Sequence, residues 1–350
     1  MDQQEQILDQ VRTALEAKSP LALKGGNTKA FYGYPAQGEE LDLSGHSGVV
    51  EYDPGELVMT CRAGSRLSDI RDQLAQNGQY LPFEPPAFGD AATIGGTVAC
   101  GFSGPGRPWR GSLRDYLLGV KIISGRGEVL VFGGQVMKNV AGYDVSRLLA
   151  GSMGTLGVVL EVSFKVLPQP ARELTLVFKC DQDEAIRRIN RWSGLPLPLS
   201  AASWCDGRLS VRLSGAVSQT EKAAEQLAAD ELSENQERWL QLREHELEFF
   251  AGGSPLWRLS VPPACPALEL DGDCLLDWGG AQRWYATTES SDRIRAAAEA
   301  AGGHATLFRG GSGTDRFHPQ PPAMAELQKR VKQAFDPLGL FNPFRTNRDW

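Results

Sequence analysis

At 350 residues the chain is longer than one hydrophobic core comfortably fills, so two domains are expected, with room for one of them to be discontinuous. A hydrophobic fraction of 41% beside 23% charged residues is that of a globular protein and excludes wholesale disorder. The formal net charge of -7, with no block of Lys or Arg, excludes the clustered basic face that a nucleic-acid partner calls for.

Residues 3–17 read as a mildly amphipathic helix (Ile7, Leu8, Val11, Leu15) with none of the charge and apolar pattern of a signal peptide. Pro20 leads a short strand, Leu21 to Leu23, into Lys24-Gly25-Gly26-Asn27-Thr28-Lys29. A strand feeding a glycine-rich turn exposes successive N–H groups that form an anion-binding nest, with Lys24 and Lys29 adding charge. A plain β-turn would use the same residues, and neither a Walker loop nor a Gly-x-Gly-x-x-Gly is present. Gly48 to Glu51 and Leu57 to Arg62 read as strands around Asp53-Pro54-Gly55-Glu56, and Leu67 to Ala75 as a helix. The proline-rich Leu81 to Pro86 must be a fixed loop.

Ala92 to Gly104 (ATIGGTVACGFSG) is built of small residues, which suits either a backbone lying flat against a planar or polyanionic ligand or a tight helix–helix contact. Arg107, Arg110 and Arg114 follow it. Leu118 to Ser124 and Val129 to Phe132 form an expected hairpin across Gly125-Arg126-Gly127. Then comes Lys138 to Val158, with a helical run Val145 to Ala150 and glycines at 151, 154 and 157. It reads as a ligand-approaching backbone or as a glycine-capped helix before a strand.

Beyond Pro168-Gln169-Pro170 strand-like and helix-like runs alternate as in an α+β domain, within which the charged segment Ser233 to Glu248 reads as a solvated helix. Gly302 to Arg309 is a strand, and Ala323 to Phe335 a helix leading to Asp336-Pro337-Leu338-Gly339-Leu340-Phe341-Asn342-Pro343. No apolar run reaches the roughly 18 residues of a membrane span. Six scattered cysteines read as reduced thiols, and neither they nor the four histidines show metal spacing, so no metal is expected.

The loop Lys24 to Thr28, the segment Ala92 to Gly104 and the segment Gly151 to Gly157 resemble, in this order, the pyrophosphate loop and the two FAD-wrapping segments of the vanillyl-alcohol-oxidase (PCMH-type) FAD-binding domain. The ending Asp336 to Pro343 resembles the tail of the 2-hydroxyacid dehydrogenases in that superfamily. Within it, the short cap, the Leu81 to Pro86 loop and the Gly303 to Leu307 strand are most similar to the FAD-binding E subunits of bacterial glycolate oxidases (glycolate dehydrogenases).

The resemblance implies an α+β fold, with a PCMH-type FAD-binding domain of two α/β subdomains over residues 1–170. A smaller α+β cap over 171–310 and a C-terminal segment, 311–350, returning to the FAD-binding domain complete it. It implies FAD held by Lys24, Gly25, Gly26, Asn27, Thr28, Lys29, Thr93, Ile94, Gly95, Gly96, Ala99, Ser103, Gly104, Gly151, Ser152, Gly154, Thr155, Gly157 and Val158. Asn27 stands where covalent flavoproteins carry a histidine, so the FAD is expected to be non-covalent. The implied activity is oxidation of glycolate to glyoxylate in a complex with a larger FAD subunit and an iron–sulfur subunit, in the cytoplasm and touching a membrane only through those partners. The candidate base is His304 and the candidate carboxylate clamps are Arg309 and Arg110. The His-rich cap motif of the larger 2-hydroxyacid dehydrogenases has no counterpart here. A non-catalytic electron-passing or scaffold subunit and a stand-alone flavin alcohol oxidase are the alternatives.

Overall fold

The computed structural model describes residues 1–134, 144–311 and 315–349, so the Lys138 to Tyr143 part of the third glycine-containing stretch lies outside the described residues. Two compact units divide the chain. The first comprises Met1–Phe102, Ser112–Pro168 and Pro319–Trp350, and the second Ser103–Gly111 and Gln169–His318.

In the first unit, helix Gln4–Ala17 buries Ile7, Leu8, Val11 and Ala14, the stripe its 3.6-residue period dictates. That stripe packs with Leu21 and Leu41 of a parallel strand pair, Leu21–Lys24 and Glu39–Asp42, and with Leu340 and Phe341 from the far end of the chain. The larger sheet is antiparallel, in the order Val49–Asp53, Val58–Arg62, Val158–Lys165, Leu117–Ile123, Val129–Gly133. Its central strand, Val158–Lys165, is buried on both faces and serves two hydrophobic clusters, which is why it reads as a near-continuous apolar run. Helix Leu67–Ala75 buries Leu67, Ile70 and Leu74 against the sheet.

The small-residue segment resolves into helix Ile94–Cys100. Two adjacent glycines oppose a helix by roughly 1 kcal/mol each. Against them stand the Thr93 cap, whose Oγ1 accepts from Gly96 N, and the burial of Ile94 and Val98, about 1.5–3 kcal/mol apiece. Gly95 is obligatory, because a Cβ there would lie 2.6 Å from the Cβ of Ala63.

The second unit is an eight-stranded antiparallel sheet. Its order is Glu231–Ser233, Arg172–Lys179, Arg208–Gly215, Leu199–Cys205, Asp273–Asp277, Gln282–Ala286, Leu256–Ser260, His304–Arg309. Helix Gln182–Ser193 covers one half through Ala185, Ile189 and Trp192, and helix Ser291–Ala300 the other through Ile294 and Ala298. The segment expected to be a solvated helix is a short strand followed by helix Glu237–Glu244, and it is anchored. Trp239 and Leu242, three apart among charged neighbours, are buried, and Trp239 Nε1 donates to Thr175 Oγ1 at 2.9 Å.

Residues 103–111 also differ from expectation, since they belong to the second unit. Trp278 Nε1 donates to Gly104 O at 3.0 Å, and the Arg107 guanidinium lies over the Trp278 ring at 4.4 Å.

Candidate cofactor-binding site

Strand Leu21–Lys24 delivers the chain to a loop whose backbone donors are unused. The N–H groups of Gly25, Gly26, Asn27 and Thr28 make no hydrogen bond among the described residues. Asn27 sits in the left-handed region at φ 58, the conformation that turns successive N–H groups into one concavity. Gly26 admits no side chain, because a Cβ would lie 1.5 Å from the Ala91 carbonyl oxygen. Such donors, withdrawn from secondary structure, call for an external acceptor.

These donors line a cleft enclosing about 820 Å³ of empty space, part of it open to solvent. Thr93, Gly95, Gly96, Ala99 and Cys100 form a second wall, and Met153, Gly154, Gly157 and Val159 a third. Leu23, Ala30, Leu43, Ala63, Asn342 and Arg345 complete it. Met153 and Gly154 both have positive φ, 53 and 74, so the third wall turns its backbone toward the ligand space.

Basic side chains Lys24, Lys29 and Arg345 line the cleft. Lys29 is buried and its Nζ donates to the carbonyl of Ala87 at 3.1 Å, while Arg345 donates to the carbonyls of Tyr34 and Ala30. Burial raises the pKa of the Cys100 thiol, with the charges of Lys29 and Arg345 opposing that rise. Lys24, by contrast, pairs with Glu40 at 2.8 Å, and that hydrogen bond raises its pKa. A row of unused N–H donors beside buried Lys29 and half-buried Arg345, walled by small residues, fits the diphosphate of a dinucleotide lying against backbone.

Of the residues expected to hold FAD, the structure brings together Lys24 through Lys29, Thr93, Gly95, Gly96, Ala99, Gly154 and Gly157 around this cleft. Ile94 and Val158 point into the core and are fully buried. Gly151, Ser152 and Thr155 form the turn behind the third wall, where Thr155 Oγ1 donates to Ser152 O and Gly151 N to Val98 O. Ser103 and Gly104 belong to the second unit. Leu43, Ala63 and Val159 carry no sequence signal for such a site. Asn342 and Arg345 lie at the C-terminal motif, and only the fold brings them to the cleft.

The three candidate catalytic residues do not form one constellation. Arg110 donates to Glu173 Oε1 at 2.7 Å and to Ser214 Oγ at 2.7 Å, on the second and third strands of the large sheet. His304 and Arg309 occupy its eighth strand. Five strand spacings of ~4.8 Å put roughly 24 Å between those strands, too far for one small substrate. His304 is exposed at the strand start, and desolvation by its neighbours, then the charges of Arg258 and His318, lower its pKa. Burial lowers that of Arg309.

The family model described as FAD binding domain matches residues 1–133. The chain is 46% identical over 344 residues to the glycolate oxidase subunit GlcE of Escherichia coli (strain K12), covering 98% of this chain and 97% of that protein. It is 32% identical over 164 residues to the glycolate oxidase subunit GlcD of Bacillus subtilis (strain 168), covering 46% of this chain and 35% of that protein. Among solved structures, alkyldihydroxyacetonephosphate synthase superposes with a TM-score of 0.67 at 15% identity, over 97% of this chain and 74% of that one. These matches identify the architecture as the α+β, PCMH-type FAD-binding fold.

Proposed function

Because the chain belongs to the family of the glycolate oxidase subunit GlcE, we propose that it is the FAD-binding subunit of a multi-subunit oxidoreductase converting glycolate to glyoxylate. The observation that carries this reading is the row of unused N–H groups from Gly25 to Thr28 facing a cleft walled by two further glycine-containing segments. Those donors would hold the diphosphate of FAD, with Lys29 and Arg345 lining the same cleft, while Gly95, Gly96, Ala99 and Gly157 leave flat surface beside it. When bound, FAD supplies the acceptor for the hydride of a 2-hydroxy acid and the means of passing electrons on. Attachment is non-covalent. Asn27 replaces a histidine, and burial keeps the Cys100 thiol protonated.

The electron-passing reading, in which another subunit takes the hydride from glycolate, draws support from the cap. Arg110 is engaged by Glu173 and Ser214, far from His304 and Arg309, so these three candidates do not assemble into one base and carboxylate clamp. The partners are then a larger FAD subunit of the GlcD kind and an iron–sulfur subunit, with the chain at the cytoplasmic face of a membrane through them. No helix among the described residues is long and apolar enough to cross a membrane itself.

Anaerobic addition of glycolate to the FAD-loaded chain tests both readings. Bleaching of the flavin by glycolate alone makes this chain the dehydrogenase. Bleaching that waits for the larger subunit makes it the relay, and no bleaching with all subunits present overturns the glycolate assignment.

A further inference from the structure

The C-terminal segment reaches back to the cleft at one side chain. Asn342 Oδ1 accepts from Leu23 N at 2.8 Å, on the strand that feeds the Gly25–Thr28 loop. Its Nδ2 donates to Met153 O at 2.7 Å, on the opposite wall. One amide thus spans two of the three walls.

The backbone around Asn342 is fixed from both sides. Leu21 N donates to Leu340 O and Asn342 N to Leu21 O, so Phe341 pairs with Leu21 in a single parallel bridge. Lys332, on helix Pro322–Phe335, uses all three ammonium protons, donating to Thr155 O at 2.7 Å, Asp336 Oδ2 at 2.6 Å and Phe341 O at 2.9 Å. Asp336 accepts in turn from Leu340 N and Phe341 N. Gly154 completes the fit, since a Cβ there would lie 2.7 Å from Asn342 Nδ2. The third wall therefore hangs on the C-terminal segment at Met153 and at Thr155.

We infer that Asn342 is a positioning residue for FAD: its amide sets the separation and orientation of the Gly25–Thr28 loop and the Met153–Gly157 wall, an inference that rests on the function proposed above. Removing the amide leaves Leu23 N–H and Met153 C=O without their partner and frees the two walls to drift, which degrades the alignment of several ligand contacts at once.

The test is the FAD dissociation constant of the apo chain, titrated at low temperature for the parent, Asn342→Ser and Asn342→Ala, with near-ultraviolet circular dichroism of each apo form and the visible spectrum of each loaded form. Asn342→Ala is expected to fold and to bind FAD at least about tenfold more weakly, with altered flavin band structure. Asn342→Ser, whose hydroxyl serves one of the two bonds, is expected to fall between. Folded variants that match the parent in affinity and spectrum overturn the positioning role alone. A parent that takes up no FAD overturns the proposed function, and this inference with it. If Asn342→Ala does not fold, Asn342→Ser decides by the same criterion. If neither folds, the amide serves the fold at large and the positioning role is overturned.

Discussion

Arg283 in the second unit and the Gly25–Thr28 loop in the first both present clustered hydrogen-bond donors, and they dispose of them differently. Arg283 is fully buried and donates to the carbonyls of Gly280, Pro266 and Cys265. Arg110 and Trp239 in the same unit likewise have Glu173, Ser214 and Thr175 as acceptors. In the first unit four consecutive N–H groups have no acceptor among the described residues, beside a buried lysine, around a cleft too crowded for side chains at Gly26 or Gly95. Donors satisfied within the chain make a scaffold. Donors aligned along a cleft and left unused by the chain are available to a ligand.

The contrast can be broken most severely at a glycine. In Gly26→Val the first side-chain carbon meets the Ala91 carbonyl, so the loop must move, and the purified variant is expected to be colourless. Gly95→Asp and Gly154→Asp should behave alike. Gly207→Ala in the second unit has open space and a φ of 71, so it should cost about 1 kcal/mol in denaturant unfolding and leave flavin content untouched. Next in size is Lys332→Met. It strips the countercharge from an almost fully buried Asp336 and should destabilise the first unit by about 3–5 kcal/mol in urea unfolding, with flavin content falling alongside.

A smaller effect concerns pH, and here the units behave alike. Burial lowers the pKa of His46 in the first unit and of His245 in the second below the ordinary value of 6.5. The unfolded chain then binds more protons than the folded one, so stability is lost as pH falls below about 6.5, by up to ~1.4 kcal/mol per pH unit for each histidine. His46→Gln, measured by unfolding between neutral and mildly acid pH, should flatten the slope contributed by the first unit. The smallest effect is Trp239→Phe, which removes the hydrogen bond to Thr175. It should cost about 1 kcal/mol in the second unit with full flavin retained.

What was legible in the sequence follows the same division. Helix Leu67–Ala75 matches its apolar period to the residue, and the hairpin of Leu117–Ile123 with Val129–Gly133 follows from its turn, because local pattern alone decides both. The Gly25–Thr28 loop stood out as a strand running into a glycine-rich turn, a pattern a plain β-turn shares, and its place at the cofactor came from the family resemblance. Helix Ile94–Cys100 was not, since its capping by Thr93 and its close approach to Ala63 lie outside any periodicity. Ser103 and Gly104, placed at the cofactor by the family resemblance, lie in the second unit, where the Trp278 indole donates to Gly104 O. Asn342 reaches the cleft through the Leu21–Phe341 bridge and its own bond to Leu23, a contact across 319 residues that no local reading contains.

The most direct test of the central claim is the visible absorption spectrum of the purified chain after incubation with FAD and removal of the excess. The account predicts flavin bands at close to one FAD per chain, released intact on denaturation because the attachment is non-covalent. A chain that is folded by circular dichroism yet retains no flavin, while Gly26→Val gives the same spectrum as the parent, would contradict it.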